Sequence, residues 1–129
     1  MTTTSPLPRL TLVLGGARSG KSRYAEALIQ SVAAPWVYVA TAEALDEEMG
    51  ERIAHHRTRR DARWRTVDAP RDLAAALLAL DGTGQPVLVD CLTLWLSNTL
   101  LQGGDVEAAC DELAAVLRDR PGPLVVVSN

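Results

Sequence analysis

Residues 10–22 read LTLVLGGARSGKS. Leu10 to Leu14 form a short apolar, β-branched run that stops at Gly15-Gly16, which is how a buried parallel strand looks. Gly15-Gly16-Ala17-Arg18-Ser19-Gly20-Lys21-Ser22 matches the pattern G-x-x-x-x-G-K-[ST] in full. Ser22 to Ser31 then carry Ala25, Leu28 and Ile29, continued by Val32, at helical spacing. The glycines allow a tight loop whose backbone N–H groups converge on phosphate oxygens. The helix N-terminus adds its dipole. In this setting Lys21 reaches the terminal phosphates of ATP or GTP, and Ser22 binds Mg²⁺. A chance match on a turn would lack the strand before and the amphipathic helix after.

The same alternation continues along the chain. Trp36 to Ala40 (WVYVA) reads as a second buried strand. Asp46 to Arg60 reads as a helix, with Asp46, Glu47 and Glu48 at its start and Arg57, Arg59 and Arg60 at its end, as the macrodipole favours. Its apolar stripe is thin: Leu45, Met49 and Ile53. Arg63 to Val67 is a third strand, and Pro70 opens a helix that runs to Leu80. After a turn at Asp81 to Gly84, Val87 to Asp90 is a fourth strand that ends in a carboxylate. Thr93 to Gln102 is helical and closes at Gly103-Gly104. Asp105 caps another helix with Val106, Ala109, Cys110, Leu113, Val116 and Leu117 on one face. Leu124 to Val127 is the fifth strand. The pattern means βαβ units: an α/β fold of the RecA-like P-loop NTPase kind, a parallel sheet with helices on both faces. Residues 1–9 are expected to be a flexible polar tail and residues 10–129 one P-loop nucleotide-binding domain. In such sheets the C-terminal ends of strands carry the site. The sequence stops at Ser128-Asn129, so the expectation is a domain truncated at its C-terminus.

Composition narrows the function classes. The 129 residues are 47% apolar, ordinary for a globular protein and too high for a disordered one. The net charge of −3 argues against a general nucleic-acid binder, which needs a basic surface. Any hold on phosphate must come from local geometry. No run approaches the roughly 20 apolar residues of a membrane span, and the start, MTTTSPLPRL, has no signal-peptide core. A cytoplasmic protein is the expectation. Cys91 and Cys110 are expected to be two buried thiols in a reducing compartment, and no spacing suggests zinc.

Beyond the loop, Asp90 either holds Mg²⁺ or its water, as such an aspartate does in P-loop proteins, or caps the following helix. His55-His56 cannot both face one way on a helix. At about 100° per residue, His56 falls within about 20° of Met49 on the buried stripe, while His55 points about 120° away. His55 is therefore the free imidazole, a competent nucleophile toward phosphorus at neutral pH. A surface histidine of no consequence is the bland alternative. Arg57, Arg59, Arg60, Arg63 and Arg65 are either a solvated helix end or a phosphate clamp. Asp68 closes the third strand and could equally be a cap before Pro70.

These residues resemble a known family. LVLGGARSGKSRYAE, then YVATAEALDEEMGERIAHHRTRRDARWRTVDAP, then VLVDCLTLWLSN, resemble adenosylcobinamide kinase/adenosylcobinamide-phosphate guanylyltransferase, the bifunctional enzyme of cobalamin assembly. The resemblance spans nearly all of residues 10–129, and its segments are specific as a set. It implies two steps. A nucleoside triphosphate, ATP or GTP, phosphorylates the aminopropanol hydroxyl of adenosylcobinamide. GTP then transfers GMP to that phosphate through a GMP-histidine intermediate, giving adenosylcobinamide-GDP and pyrophosphate. The family's nucleophile matches His55. Its nucleotide contacts map onto Gly15 to Ser22, onto Thr41, Ala42 and Glu43, onto His56, Arg57, Thr58 and Arg59, and onto Asp68 and Asp90. Family members often carry Glu where this chain has Asp68. The resemblance also implies a homotrimer, and a chain that continues past Asn129. The competing readings are a P-loop kinase for another small metabolite, with His55 a bystander, and a RecA-like module that works through partners.

Overall fold

The computed structural model describes residues 7–16, 19–43, 47–48, 50–51, 53–54 and 60–129. Five strands are β1 (Leu10–Leu14), β2 (Trp36–Ala40), β3 (Trp64–Asp68), β4 (Val87–Asp90) and β5 (Leu124–Ser128). Four helices are α1 (Lys21–Gln30), α2 (Leu73–Leu80), α3 (Leu92–Leu101) and α4 (Val106–Asp119). The described residues between 47 and 54 are helical as well. All strand pairs are parallel, in the order β1-β5-β4-β2-β3.

Burial follows that order. β2, β4 and β5 lie inside the sheet and are apolar on both faces, hence the continuous Val-rich runs. One face packs Val37, Val39, Val87, Val89, Leu124 and Val126 against α2, Trp95 of α3, and Leu113 and Val116 of α4. The other packs Tyr38, Leu88, Val125 and Val127 against Ala25 and Ile29 of α1. No helix among the described residues is long and apolar enough to cross a membrane.

Several expectations are corrected. β1 is not buried on both faces. It is an edge strand, and Leu10, Leu12 and Leu14 lie on an uncovered face, Leu14 at 67% exposure. Its apolar run reads like an inner strand because sequence carries no sign of which strand ends the sheet. Cys91 is buried, but Cys110 is exposed, just off the stripe of Ala109, Leu113 and Val116 that meets the sheet. The helix expected from Pro70 starts at Leu73 instead. The carbonyls of Pro70 and Arg71 are taken by side chains of α3: Asn98 Nδ2 donates to Pro70 O at 3.0 Å and Trp95 Nε1 to Arg71 O at 2.8 Å. The first helical bond of α2 therefore runs from Ala76 N to Asp72 O. Arg60, expected to end a helix, lies in a bend. Of the expected tail, residues 7–9 are held: Leu7 is buried, and Arg9 Nη1 donates to Leu117 O and Arg120 O.

Candidate functional site

The register brings the strand ends into one row: Val13, Val127, Asp90, Ala40 and Asp68 lie side by side across the sheet. The glycine loop leaves β1 at one end of this row. Gly15 N donates to Ser128 O, which ties the loop's start to β5. Gly20 sits at φ 82° directly before α1, a left-handed conformation that a Cβ would strain. That turn lets Lys21 and Ser22 open the helix. Lys21 Nζ donates to Gly16 O at 3.0 Å, so the ammonium lies back over the loop. Ala17 and Arg18 lie outside the described residues.

Ser22 and Asp90 are 68 residues apart in sequence and touch: Ser22 Oγ donates to Asp90 Oδ2 at 2.8 Å. A second hydroxyl, from Tyr38, donates to the same oxygen at 2.6 Å. Burial first, and then the Asp90 carboxylate, push the Tyr38 phenol far above its ordinary range, so it stays a donor. The Tyr38 ring in turn carries the Arg60 guanidinium, with Cζ 3.5 Å from the ring centroid.

Beside Asp90, Thr41 is fully buried, and its hydroxyl is spent on the backbone of Cys91. It donates to Cys91 O at 2.7 Å and accepts from Cys91 N at 2.8 Å. Thr41 O accepts from Asn98 Nδ2 at 2.8 Å. Thr41 thus locks the end of β2 to the end of β4, with Ala42 and Glu43 directly beyond it. Glu43 is ion-paired with Arg71 at 3.3 Å. Asp68 closes the far end of the row, two strands from Asp90, or about 10 Å at the usual strand spacing. The structure therefore joins Gly15, Gly16, Ser19, Gly20, Lys21, Ser22 and Asp90 in one place and sets Asp68 at the opposite edge of the sheet from the loop. His55, His56, Arg57, Thr58 and Arg59 lie outside the described residues.

Arg63 and Arg65 stand at the other end of β3 from this row. Arg63 is bound to Asp61 at 2.7 Å, and its hydrogen bonds hold the Asp61 carboxyl down at about 2. It also stacks on Trp36, with Cζ 4.7 Å from the ring centroid. Both arginines thus lie toward the N-terminal edge of the sheet, away from the row of strand ends. Sequence reasoning missed Tyr38, Asn98 and the pair Thr93–Ser128, whose hydroxyls lie 3.0 Å apart beside the loop. A signal existed for Tyr38. A tyrosine in the middle of an otherwise apolar inner strand must find a partner for its hydroxyl.

Among the described residues no group of three or more His, Cys, Asp and Glu could hold a metal ion. The oxygens of Ser22 and Asp90 are nevertheless the hard donors that Mg²⁺ prefers, and such ions take their remaining ligands from phosphates and water.

A parallel α/β sheet whose first strand feeds a GxxxxGKS loop, with the loop's serine on an aspartate from another strand end, defines a P-loop nucleotide-binding protein. Similarity to known proteins narrows that class. Residues 11–129 match the family model described as cobinamide kinase / cobinamide phosphate guanyltransferase. The chain is 49% identical over 120 residues to the bifunctional adenosylcobalamin biosynthesis protein CobP of Pseudomonas aeruginosa, covering 92% of this chain and 69% of the relative. It is 38% identical over 135 residues to the corresponding CobU protein of Escherichia coli, covering 93% and 74%. The Salmonella typhimurium CobU protein is 40% identical over 136 residues, with the same coverage of 93% and 74%. The chain belongs to the cobinamide kinase / cobinamide phosphate guanyltransferase family, enzymes of adenosylcobalamin biosynthesis.

Proposed function

We propose that this chain phosphorylates adenosylcobinamide with ATP or GTP and then guanylylates the product through His55. The observation that carries the reading is the Ser22–Asp90 contact at the mouth of a complete phosphate loop. With its proton on Asp90, the Ser22 hydroxyl keeps its lone pairs for a cation. Mg²⁺ bound there would be held by Ser22 and Asp90, and it would neutralise charge on the triphosphate. The backbone N–H groups of residues 15–20 and the ammonium of Lys21 hold and orient the phosphates. In the kinase step the aminopropanol hydroxyl attacks the γ-phosphorus, and the nucleoside diphosphate leaves. In the second step a nitrogen of His55 attacks the α-phosphorus of GTP, a P–N bond forms, and pyrophosphate leaves. The phosphate of adenosylcobinamide phosphate then displaces His55, giving adenosylcobinamide-GDP. Arg57 and Arg59 neutralise the charge that builds on the phosphate oxygens. Thr41 supports Ala42 and Glu43 as the nucleotide's further neighbours, and His56, Thr58 and Asp68 complete its contacts. The enzyme works in this reading as a cytoplasmic homo-oligomer, a trimer by family resemblance.

Incubation with α-³²P-GTP and Mg²⁺, followed by denaturing electrophoresis, tests the covalent step. The expected label is acid-labile and alkali-stable, as a phosphoramidate is. It disappears in His55→Ala, which keeps the kinase step. Label that persists in His55→Ala and is lost in His56→Ala would show that the other histidine is the nucleophile. A native chain that takes no label would favour a kinase without histidine chemistry.

A further inference from the structure

Between the strand that feeds the phosphate loop and the strand that ends at Asp90 lies β5. Its last residue, Ser128, is held from two directions. Its carbonyl accepts from Gly15 N, at the start of the loop. Its hydroxyl lies 3.0 Å from that of Thr93, near the start of α3, and the pair is half-buried. Thr93 Oγ1 also accepts from Asn129 N at 3.0 Å. The pair stands at the same rim as the Ser22–Asp90 contact, but on the other face of the sheet. Along β5, Val125 and Val127 pack on the α1 side, and Val126 packs on the side of α2, α3 and α4. Alternation sets Ser128 with Val126, and its partner Thr93 is on α3. Along β4, Asp90 shares the α1 face with Leu88 and meets Ser22 of α1.

A count of protons shows what the pair has left over. Two hydroxyls carry two protons, and one of them fills the bridge between the oxygens. If Thr93 donates, the Ser128 proton has no acceptor among the described residues. If Ser128 donates, Thr93 accepts from both Ser128 and Asn129, and its own proton has none. Either way one neutral O–H at the rim is uncommitted. We propose that the Thr93–Ser128 pair binds the acceptor alcohol of the phosphoryl transfer. The inference rests on the kinase reading given above and adds where the acceptor sits. In such a transfer the attacking and leaving oxygens lie roughly in line through phosphorus. The loop, Lys21 and Ser22 hold the triphosphate from the α1 side, so the alcohol comes from beyond them, over the α3 side of the rim. There its oxygen takes the spare O–H on one lone pair and keeps the other for phosphorus.

The test uses the whole chain and four variants: Thr93→Val, Thr93→Ser, Ser128→Ala, and Thr93→Val with Ser128→Ala. Phosphorylation of adenosylcobinamide gives kcat/KM for the acceptor. Calorimetry with Mg²⁺ and a non-hydrolysable β,γ-imido analogue of ATP gives nucleotide affinity. Each single removal leaves one O–H but no partner to aim it, so Thr93→Val and Ser128→Ala should each lower kcat/KM for adenosylcobinamide about threefold. The double variant has no O–H to give and should lose about tenfold. Thr93→Ser keeps the hydroxyl and should stay within about twofold of the native value. Nucleotide affinity should stay within about twofold throughout, because the Gly15–Ser128 bond is made by backbone and survives. A folded double variant with native kcat/KM for adenosylcobinamide overturns the inference. So does a fall in nucleotide affinity as large as the fall in kcat/KM, which would make the pair a support for the loop. If the double variant does not fold, Thr93→Val and Thr93→Ser decide, and equal kcat/KM in the two overturns the inference. A native chain that binds the analogue and leaves adenosylcobinamide unphosphorylated removes the kinase reading itself and the inference with it.

Discussion

Two thiols in this chain behave oppositely for reasons visible at single residues. Cys91 is buried at the start of α3, where its sulfur accepts from Leu94 N at 3.4 Å, and burial pushes its thiol above the ordinary range. Cys110 lies exposed on α4. At about pH 8, iodoacetamide should therefore modify the native chain at Cys110 alone, and Cys91 should react only after denaturation. Equal labelling of both thiols in the native state would contradict this. The same burial gives a sign for pH. Because the folded state holds the Cys91 proton more tightly than the unfolded chain does, this contribution is present below the usual thiol range and is lost as pH rises from there through the raised folded value. At the loop, Lys21→Ala should abolish nucleotide-dependent phosphorylation and leave the fold intact, as thermal melts and turnover together would show. The loop was legible residue by residue, because G-x-x-x-x-G-K-S encodes local geometry. Ser22 and Lys21 were read that way, and Asp90 from the carboxylate that ends an apolar strand. Tyr38 was not. Its significance lies in an oxygen 52 residues away, and a strand reads the same whether its tyrosine meets a carboxylate or water.

At the scale of elements, the sequence located every strand to within a residue or two, because apolar runs bounded by glycine, proline and aspartate are local signals. The N-cap of α4 was also legible: Asp105 accepts from Ala108 N at 3.0 Å. Asp105→Ala should cost about 1 kcal/mol and Asp105→Asn much less, measured by denaturant unfolding. The start of α2 was not legible. Pro70 is a good first helical residue, but Asn98 and Trp95 compete for the carbonyls that a longer helix would use. Asn98 spans two loops, holding Thr41 O and Pro70 O with one amide nitrogen. Asn98→Ala leaves two carbonyls short of a partner. It should cost about 2 kcal/mol and lower the melting temperature by roughly 5–10 °C. An unchanged midpoint would mean that water replaces the amide without loss.

For the whole molecule, alternation gave the α/β class, while strand order and sheet edges were beyond a local reading. That is why Leu10–Leu14 read as an inner strand although one of its faces is open. Leu12 and Leu14 at the C-terminal half of that face are 54% and 67% exposed. Leu12→Thr with Leu14→Thr should reduce dye binding to exposed apolar surface and concentration-dependent association, with little loss of melting temperature. A large loss would show that this face is covered in the folded protein. The strand order has a further consequence, one of timing during synthesis. Of the five strands β1 is made first, but its strand partner among the described residues is β5, with Leu10 beside Leu124. The phosphate loop hangs from that late pairing through Gly15 N and Ser128 O. A growing chain can assemble β2, β4 and their helices while β1 waits, since long-range parallel pairing is the slow event in such folds. Nucleotide-binding capacity therefore waits until β5 has been made and β1 has joined it.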